Sequence, residues 1–455
     1  MKQYIKILAL ALAVSGGTMC GWSQSESGYF NKGYAYGYQL NPAFANDGLL
    51  VSVPVIGNAN MAMRGNYGVQ DVLYNVDGRT TTFLNPKVSA AEFLDNINDH
   101  NRLETSLKMG IVSVGFKALG GYNAVSLNMV TNIQTSIPKG LFSLAKEGLA
   151  NRTYDISDLY MHADAYAELA LNHSHKINDK LRVGGAFKFL IGGGNIDAAF
   201  ERAQLTLGEN NWTAVTQGRM RANVKGLTYK TKINDNTGHE YVSGVEIDGA
   251  GIGGFGAAID LGAVYTLNKD WTFSAAVVDF GFISWSNDVL ASTNGVQTFE
   301  TDRYTFNVDD EALNSFENEW HKMRDDVSAL YELNDNGDRG GRARMLATTL
   351  RFGAEYTFPL YRKLTFGLLN TTRVQSHFSS TNFRLSANVA PCKIFSASIN
   401  GNGGTYGFGF GGILNLHVPG FNLFVGMDHV LGKVAKQFVP LNSNAQVSFG
   451  MNIML

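Results

Sequence analysis

The sequence is poor in the features that mark most soluble enzymes and small secreted domains. Cysteine occurs twice in 455 residues. Only Cys392 lies beyond the leader-like start, so an exported chain would have no internal disulfide framework. Proline is scarce at 8 residues, while glycine reaches 51 without a collagen period. With 28 Phe and 19 Tyr, that composition fits strands with aromatic belts rather than disorder. After the first residues no apolar run approaches the ~20 residues that a spanning helix needs. Neither charge sign dominates: 37 basic and 39 acidic residues give a net −2, which argues against a nucleic-acid partner.

Catalytic and ligand motifs are equally thin. Gly251-Ile-Gly-Gly-Phe-Gly256 has the G-x-G-x-x-G form, but an alternating strand comes after it. A dinucleotide site needs a helix there to face the pyrophosphate. His173 and His175 share a strand face without a third ligand at useful spacing. Asp335-Asn336-Gly337-Asp338 lacks the closing Glu of a calcium loop. No Ser/His/Asp or Cys/His arrangement stands out. The expectation is a protein that is not an enzyme, with no cofactor and no metal.

The features that are present point to export and to lipid. Lys2 and Lys6 precede the short apolar run Ile7–Val14 and the small polar stretch Ser15–Ser23, as in a signal peptide spanning 1–23. Beyond it, period-two alternation recurs many times. Ala165, Ala167, Leu169 and Leu171 alternate with Asp164, Glu168 and Asn172. Leu350, Phe352, Ala354, Tyr356 and Phe358 alternate with Arg351, Gly353 and Glu355. Short polar turns at 177–180, 267–270, 390–393 and 417–420 join strands in pairs. Long connections at 57–104, 134–158, 195–251 and 287–345 separate the pairs. Ser89–Asn98, Pro138–Leu149 and Asp309–Leu333 carry helical patterns within these connections.

Alternation alone also suits a soluble sandwich, but a sandwich core would not hold Asp164, Glu168, Asp260, Arg351 and Glu355 unpaired. A barrel with its apolar face in hydrocarbon and its polar face in a wet lumen removes the conflict. The fold expected is therefore all-β: a transmembrane antiparallel β-barrel of about fourteen strands in the cell outer membrane, bounded by outer-membrane lipid. Its long, helix-bearing loops lie outside the cell. The count is open at 195–251, where Asn195–Gly226 reads either as a hairpin extending past the membrane or as two further strands. Tyr265, Trp271, Tyr356, Phe358 and Tyr361 near turns, and Trp285 at the far end of its strand, suit interfacial girdles. The last strand puts Ala445, Val447, Phe449, Met451, Ile453 and Leu455 on one face. It is similar to the terminal strand that the bacterial barrel-assembly machinery recognises, which makes that machinery an expected partner.

Tyr36-Gly-Tyr-Gln-Leu-Asn41-Pro42-Ala43-Phe44, the run Ile259–Tyr265, Ser274–Trp285 (SAAVVDFGFISW) and Phe424–Gly432 (FVGMDHVLG) together resemble the FadL-like outer-membrane family, in a Bacteroidota branch of undefined function. The resemblance implies a barrel, 49–455, with an N-terminal plug segment, 24–48, folded into it. It also implies a porin-like channel for hydrophobic compounds. Related barrels act instead as non-transporting scaffolds or adaptors in type IX secretion or gliding, so secretion partners are the alternative. On the transport reading Tyr29, Phe30, Tyr34, Tyr36, Tyr38, Asn41, Pro42 and Phe44 line the plug and the path of a hydrophobic ligand. Leu141, Leu144 and Leu149 form an apolar stripe at the mouth.

Overall fold

The computed structural model describes residues 26–46, 48–148, 150–249, 251–304, 315–428 and 444–455; the leader at 1–23 lies outside them. Fourteen antiparallel strands close into a barrel. β1 is broken into Leu50–Ser52 and Ala59–Gly65. After it come β2 (His100–Ala118), β3 (Gly121–Pro138), β4 (Leu159–Lys176), β5 (Leu181–Leu207), β6 (Gly254–Thr266) and β7 (Trp271–Trp285). The second half comprises β8 (Thr348–Thr357), β9 (Leu364–Val374), β10 (Ser380–Cys392), β11 (Phe395–Gly404), β12 (Gly407–Val418), β13 (Phe421–Asp428) and β14 (Ala445–Met454). Each pairs with its successor. The C-terminal strand closes the ring on both halves of β1, through Leu50↔Met454 and Ala59↔Phe449. Closure leaves no unpaired edge for hydrocarbon to meet.

The two faces of the wall differ as the alternation requires. Phe187, Phe189, Phe383, Leu385, Ile399, Phe410 and Leu414 point outward and are 41–70% exposed. Glu168, Lys188, Asp260, Arg384, Asn400, Asn415 and Asn452 point inward and are buried. No helix among the described residues is long and apolar enough to cross a membrane. This is an outer-membrane β-barrel: its apolar belt is solvated by lipid and its polar face lines the lumen. Arginine in place of Leu385, near the middle of β10, should therefore cost about 2–4 kcal/mol. Urea unfolding in detergent micelles measures this, with wild-type stability as the contrary outcome.

Tight turns at 177–180, 267–270, 393–394 and 419–420 join strands on one side, as do connections at 119–120 and 358–363. The opposite, extracellular side carries the long loops. β5 is 27 residues long, well beyond the ~9–11 that cross a membrane. Its outer half pairs with Trp212–Val224. That strand in turn pairs with Val289–Ser292 and Gln297–Glu300. Asn195–Gly226 is thus a hairpin projecting past the wall, not two more wall strands, and Leu227–Ile233 pairs with Glu240–Ile247 as a second, separate hairpin. The expected loop helices are α1 (Ala90–Asp95), α2 (Lys139–Glu147) and α3 (Phe316–Ala329). In α1 the Glu92 N–H donates to the Ser89 hydroxyl at 3.4 Å, a side-chain N-cap.

One expected girdle residue lies elsewhere. Strict alternation from Trp271 places Trp285 on the lipid face, yet Trp285 is 2% exposed and packs inside against Tyr166, Leu190 and Ile283. The cause is a β-bulge. Between Ile259↔Phe280 and Leu261↔Val277 the single residue Asp260 faces both Val278 and Asp279. One extra residue on β7 inverts every later side chain. Trp271 and Phe273 stay outward before the bulge, Phe280 and Phe282 after it. Asp279 takes φ +63°, a left-handed conformation that Asp tolerates better than most residues.

Candidate functional site

The candidate site is the lumen, and the N-terminal segment Glu26–Asn46 lies inside it. Its helical turns, a 3-10 turn at Glu26–Gly28 and an α-helical one at Gly37–Leu40, are too short to be stable alone. The segment is held by the wall. The Tyr36 hydroxyl donates to Asn452 Oδ1 at 2.6 Å, and Tyr38 shares a hydrogen bond with Ser126 at 2.9 Å. Tyr29 meets Ser274 at 3.0 Å. Asn31 bonds Ser398 and Ser396, and Asn415 Nδ2 donates to the Gly33 carbonyl. These partners belong to strands around the whole ring, near its turn-bearing, periplasmic end.

The Asn41-Pro42-Ala43 elbow is a side-chain-built turn. The Ala43 N–H donates to Asn41 Oδ1 at 3.0 Å, and the Phe44 N–H to the Asn41 carbonyl at 2.9 Å. Asn41 Nδ2 also reaches the carbonyls of Ala263 and Ala275. Asn, Pro and the small residue after them suit such a turn. Gly184 and Gly262, register partners on β5 and β6, leave the space for it. A Cβ at Gly184 would meet the Pro42 carbonyl and Ala43 N, and one at Gly262 would meet Asn41 Oδ1 and the Pro42 ring. Gly353 and Gly367 leave the space for Phe30 in the same way.

Of the eight segment residues singled out in the sequence, Tyr29, Tyr34, Tyr36, Tyr38, Asn41 and Pro42 are buried, while Phe30 and Phe44 are partly so. Tyr29 sits between Phe30 and Phe44, with ring centroids at 4.9 and 5.0 Å. Tyr34 meets Phe424 edge-on at 5.0 Å. The mouth stripe is only in part a free surface. Leu141 packs on a cluster containing Tyr67, Phe93 and Phe142, Leu144 is half-buried, and Leu149 lies outside the described residues.

Two spaces flank the segment. On the periplasmic side a vestibule of about 900 Å³ is bordered by Tyr29, Phe30, Phe44, Lys32, Lys117 and Arg182. On the extracellular side a chamber of about 150 Å³ is bordered by Glu26, Lys108, His162, Asp164, Arg351 and Arg373 among others. Its walls are charged in both signs and mostly paired. Lys108 meets Glu168 at 2.8 Å, Arg373 meets Glu104 at 3.2 Å, and Lys188 meets Asp260 and Asp279 at 2.7 and 2.5 Å. Above the chamber the loop 375–379 folds into the mouth. Gln375 Nε2 donates to Glu104 Oε2 at 3.1 Å, and His377 stacks on Tyr160 at 4.0 Å. The inward charges of single strands were visible in the alternation. Their pairing, the seat glycines and the mouth loop were not, because each depends on strands distant in the sequence.

Among the described residues no group of three or more His, Cys, Asp or Glu side chains could hold a metal ion. The glycines Gly251–Gly253 lead into β6, a strand rather than a helix.

Solved structures similar to this chain include a FadL homologue from Pseudomonas aeruginosa, at 9% identity and TM-score 0.41, covering 96% of this chain and 98% of that one. They include the toluene transporter TbuX from Ralstonia pickettii, at 9% identity and TM-score 0.40, covering 97% and 95%. The toluene transporter TodX from Pseudomonas putida matches at 8% identity and TM-score 0.38, covering 96% and 94%. No curated protein matches the sequence. The model of a family of unknown function, DUF5723, matches residues 42–428, from the Asn-Pro elbow to the end of β13, and the chain belongs to that family.

Proposed function

We propose that the protein is an outer-membrane channel for small molecules and that Glu26–Asn46 is its gate. The carrying observation is how that segment is held. It is held in the lumen by side-chain and carbonyl hydrogen bonds such as Tyr36–Asn452 and Tyr38–Ser126, and adds no strand to the wall. Such bonds contribute about 0.5–1.5 kcal/mol each. The segment can therefore leave without opening the ladder. Tyr29, Phe30 and Phe44 at the vestibule favour a hydrophobic ligand, and Leu141 and Leu144 offer it apolar surface at the mouth. The charged chamber favours one that also carries a polar or charged end. Deleting Gly28–Phe44 tests the reading. The deletion should raise conductance in planar bilayers and alter uptake of a labelled lipid by cells that depend on the protein. A folded deletion variant as closed as the wild type would remove the gate.

The second reading, a surface scaffold for secretion or gliding, has the extracellular lobe in its favour. The outer half of β5, Trp212–Val224, Val289–Ser292 and Gln297–Glu300 form paired structure beyond the wall, more than a channel requires. Crosslinked pull-down from intact outer membranes separates the two. Recovery of the assembly machinery alone would count against the scaffold.

A further inference from the structure

Charge is spread unevenly over the periplasmic turns. Those at 119–120 and 419–420 carry none, and 177–180 is balanced by Asp179 and Lys180. The turns at 267–270, 358–363 and 393–394 differ. They hold Lys269, Arg362, Lys363 and Lys393 against the single carboxylate of Asp270, in a chain whose net charge is −2. These three turns form one arc. The Thr357 N–H donates to the Asp270 carbonyl at 2.7 Å, and the Ala390 N–H to the Lys363 carbonyl at 3.0 Å. Arg362 Nη1 pairs with Asp270 at 2.8 Å, and its Nη2 donates to the Lys269 carbonyl. The Lys363 ammonium donates to the Pro391 carbonyl. Arg362 thus takes up the one carboxylate. Lys269 and Lys393 are exposed, and among the described residues neither has a carboxylate in ion-pair range.

Apolar groups lie between these cations. Leu267, Leu360 and Ile394, one from each turn, are 45–88% exposed, and in water that surface would stay unburied. Tyr265, Trp271 and Tyr361 flank the same turns and are exposed too. Trp271 meets Tyr356 at 5.0 Å and the outward Phe273 at 6.1 Å, so the arc is continuous with the lipid-facing wall. Amphipathic rings of this kind settle at headgroup depth. Lysines at the turn tips beside them then lie at the level of lipid phosphates, where a negatively charged leaflet attracts them. A soluble acidic protein would answer the cations alone. A lipid answers the cations, the rings and the apolar tips together.

We infer that the arc of Lys269, Arg362, Lys363 and Lys393 binds anionic phospholipid of the periplasmic leaflet, with Lys269 and Lys393 as the main phosphate ligands. The site lies on the outside of the wall and does not depend on what passes through the lumen.

Purified full-length barrel in phosphatidylcholine vesicles tests this by tryptophan quenching. Trp212 and Trp320 belong to the extracellular loops and Trp285 points inward, so Trp271 reports the arc. Brominated phosphatidylglycerol should be preferred beside Trp271 about five-fold over brominated phosphatidylcholine at the same mole fraction. Added salt should lower that preference, and Trp271→Phe should remove the headgroup-dependent part of the quenching. Lys269→Gln with Lys393→Gln should bring the preference close to one, with heat-modifiable mobility as the check on folding. Lys230→Gln with Lys232→Gln takes the same charge from the extracellular loops and should leave the preference intact. Equal quenching by the two lipids in the wild type would overturn the inference and leave the arc to a soluble acidic partner. A preference that survives the double change in the arc, or falls equally with the extracellular pair, would overturn it as well.

Discussion

Alanine at Gly184 should raise the open fraction of the barrel. Gly184 faces inward on β5 opposite Gly262 of β6, and the backbone of Pro42 and Ala43 occupies the space where its Cβ would go. A far side-chain end could rotate away, but a backbone carbonyl and amide cannot. The wall cannot yield either, because β5 is hydrogen-bonded on both sides, to β4 and β6. The added methyl therefore acts on the seated segment. Overpacking of this kind costs about 1–3 kcal/mol, and it falls only on the closed state. The open fraction should rise about 5- to 150-fold. Gly185 supplies the control. It points the other way, and a Cβ there meets its nearest atom, the Asp260 carbonyl oxygen, at an ordinary 3.5 Å. Gly185→Ala should conduct as wild type. If a folded Gly184→Ala barrel is as closed as Gly185→Ala, the segment is not seated on these glycines.

The seat shows where sequence reading succeeds and where it stops. Alternation in Ala165–Leu171 and Leu350–Phe358 reveals the wall, because lipid on one side and a wet lumen on the other impose opposite demands on neighbouring residues. Short turns at 177–180 and 267–270 give the pairing, and Ser89 announces its helix through a local cap. The unusual aromatics of Gly28–Phe44 stand out because they have no strand to belong to. That Gly184 and Gly262 make room for Pro42 depends on register between segments some 140 and 220 positions apart from it, which no local pattern encodes. The outer half of β5 stays open between a projecting hairpin and two further strands for a different reason: alternation continues unchanged where the strand leaves the membrane. Trp285 is misplaced by a bulge that costs one residue and leaves the composition of Ser274–Trp285 unaltered. Asp279, in a position that demands φ +63°, is its one chemical trace.

That bulge rests on the most heavily charged group in the wall, and methionine at Lys188 should remove about 3–5 kcal/mol of stability. Lys188 Nζ lies 2.7 Å from Asp260 Oδ2, 2.5 Å from Asp279 Oδ1 and 3.6 Å from Glu168 Oε2. Lys108 neutralises Glu168 from the other side at 2.8 Å. Asp260 and Asp279 have Lys188 between them, and the Asp279 N–H donates to Asp260 Oδ1 at 2.8 Å across the bulge. Methionine keeps the length of the side chain and takes away the charge. The buried carboxylate of Asp260 and the part-buried one of Asp279 then face each other with one main-chain donor between them. The cost should appear as a lower urea midpoint in detergent, at unchanged slope. Pairing Lys188→Met with Asp279→Asn should destabilise less than the sum of the two changes, because the second removes one of the charges that the first strands. Strict additivity, or a wild-type midpoint for Lys188→Met, would mean that water reaching the lumen screens these carboxylates. The bulge would then owe its place to the backbone conformation of Asp279 alone. A bulge held by charge instead ties three things to one lysine: the inward turn of Trp285, the chamber wall beside Asp279, and the closure of the ladder between β6 and β7.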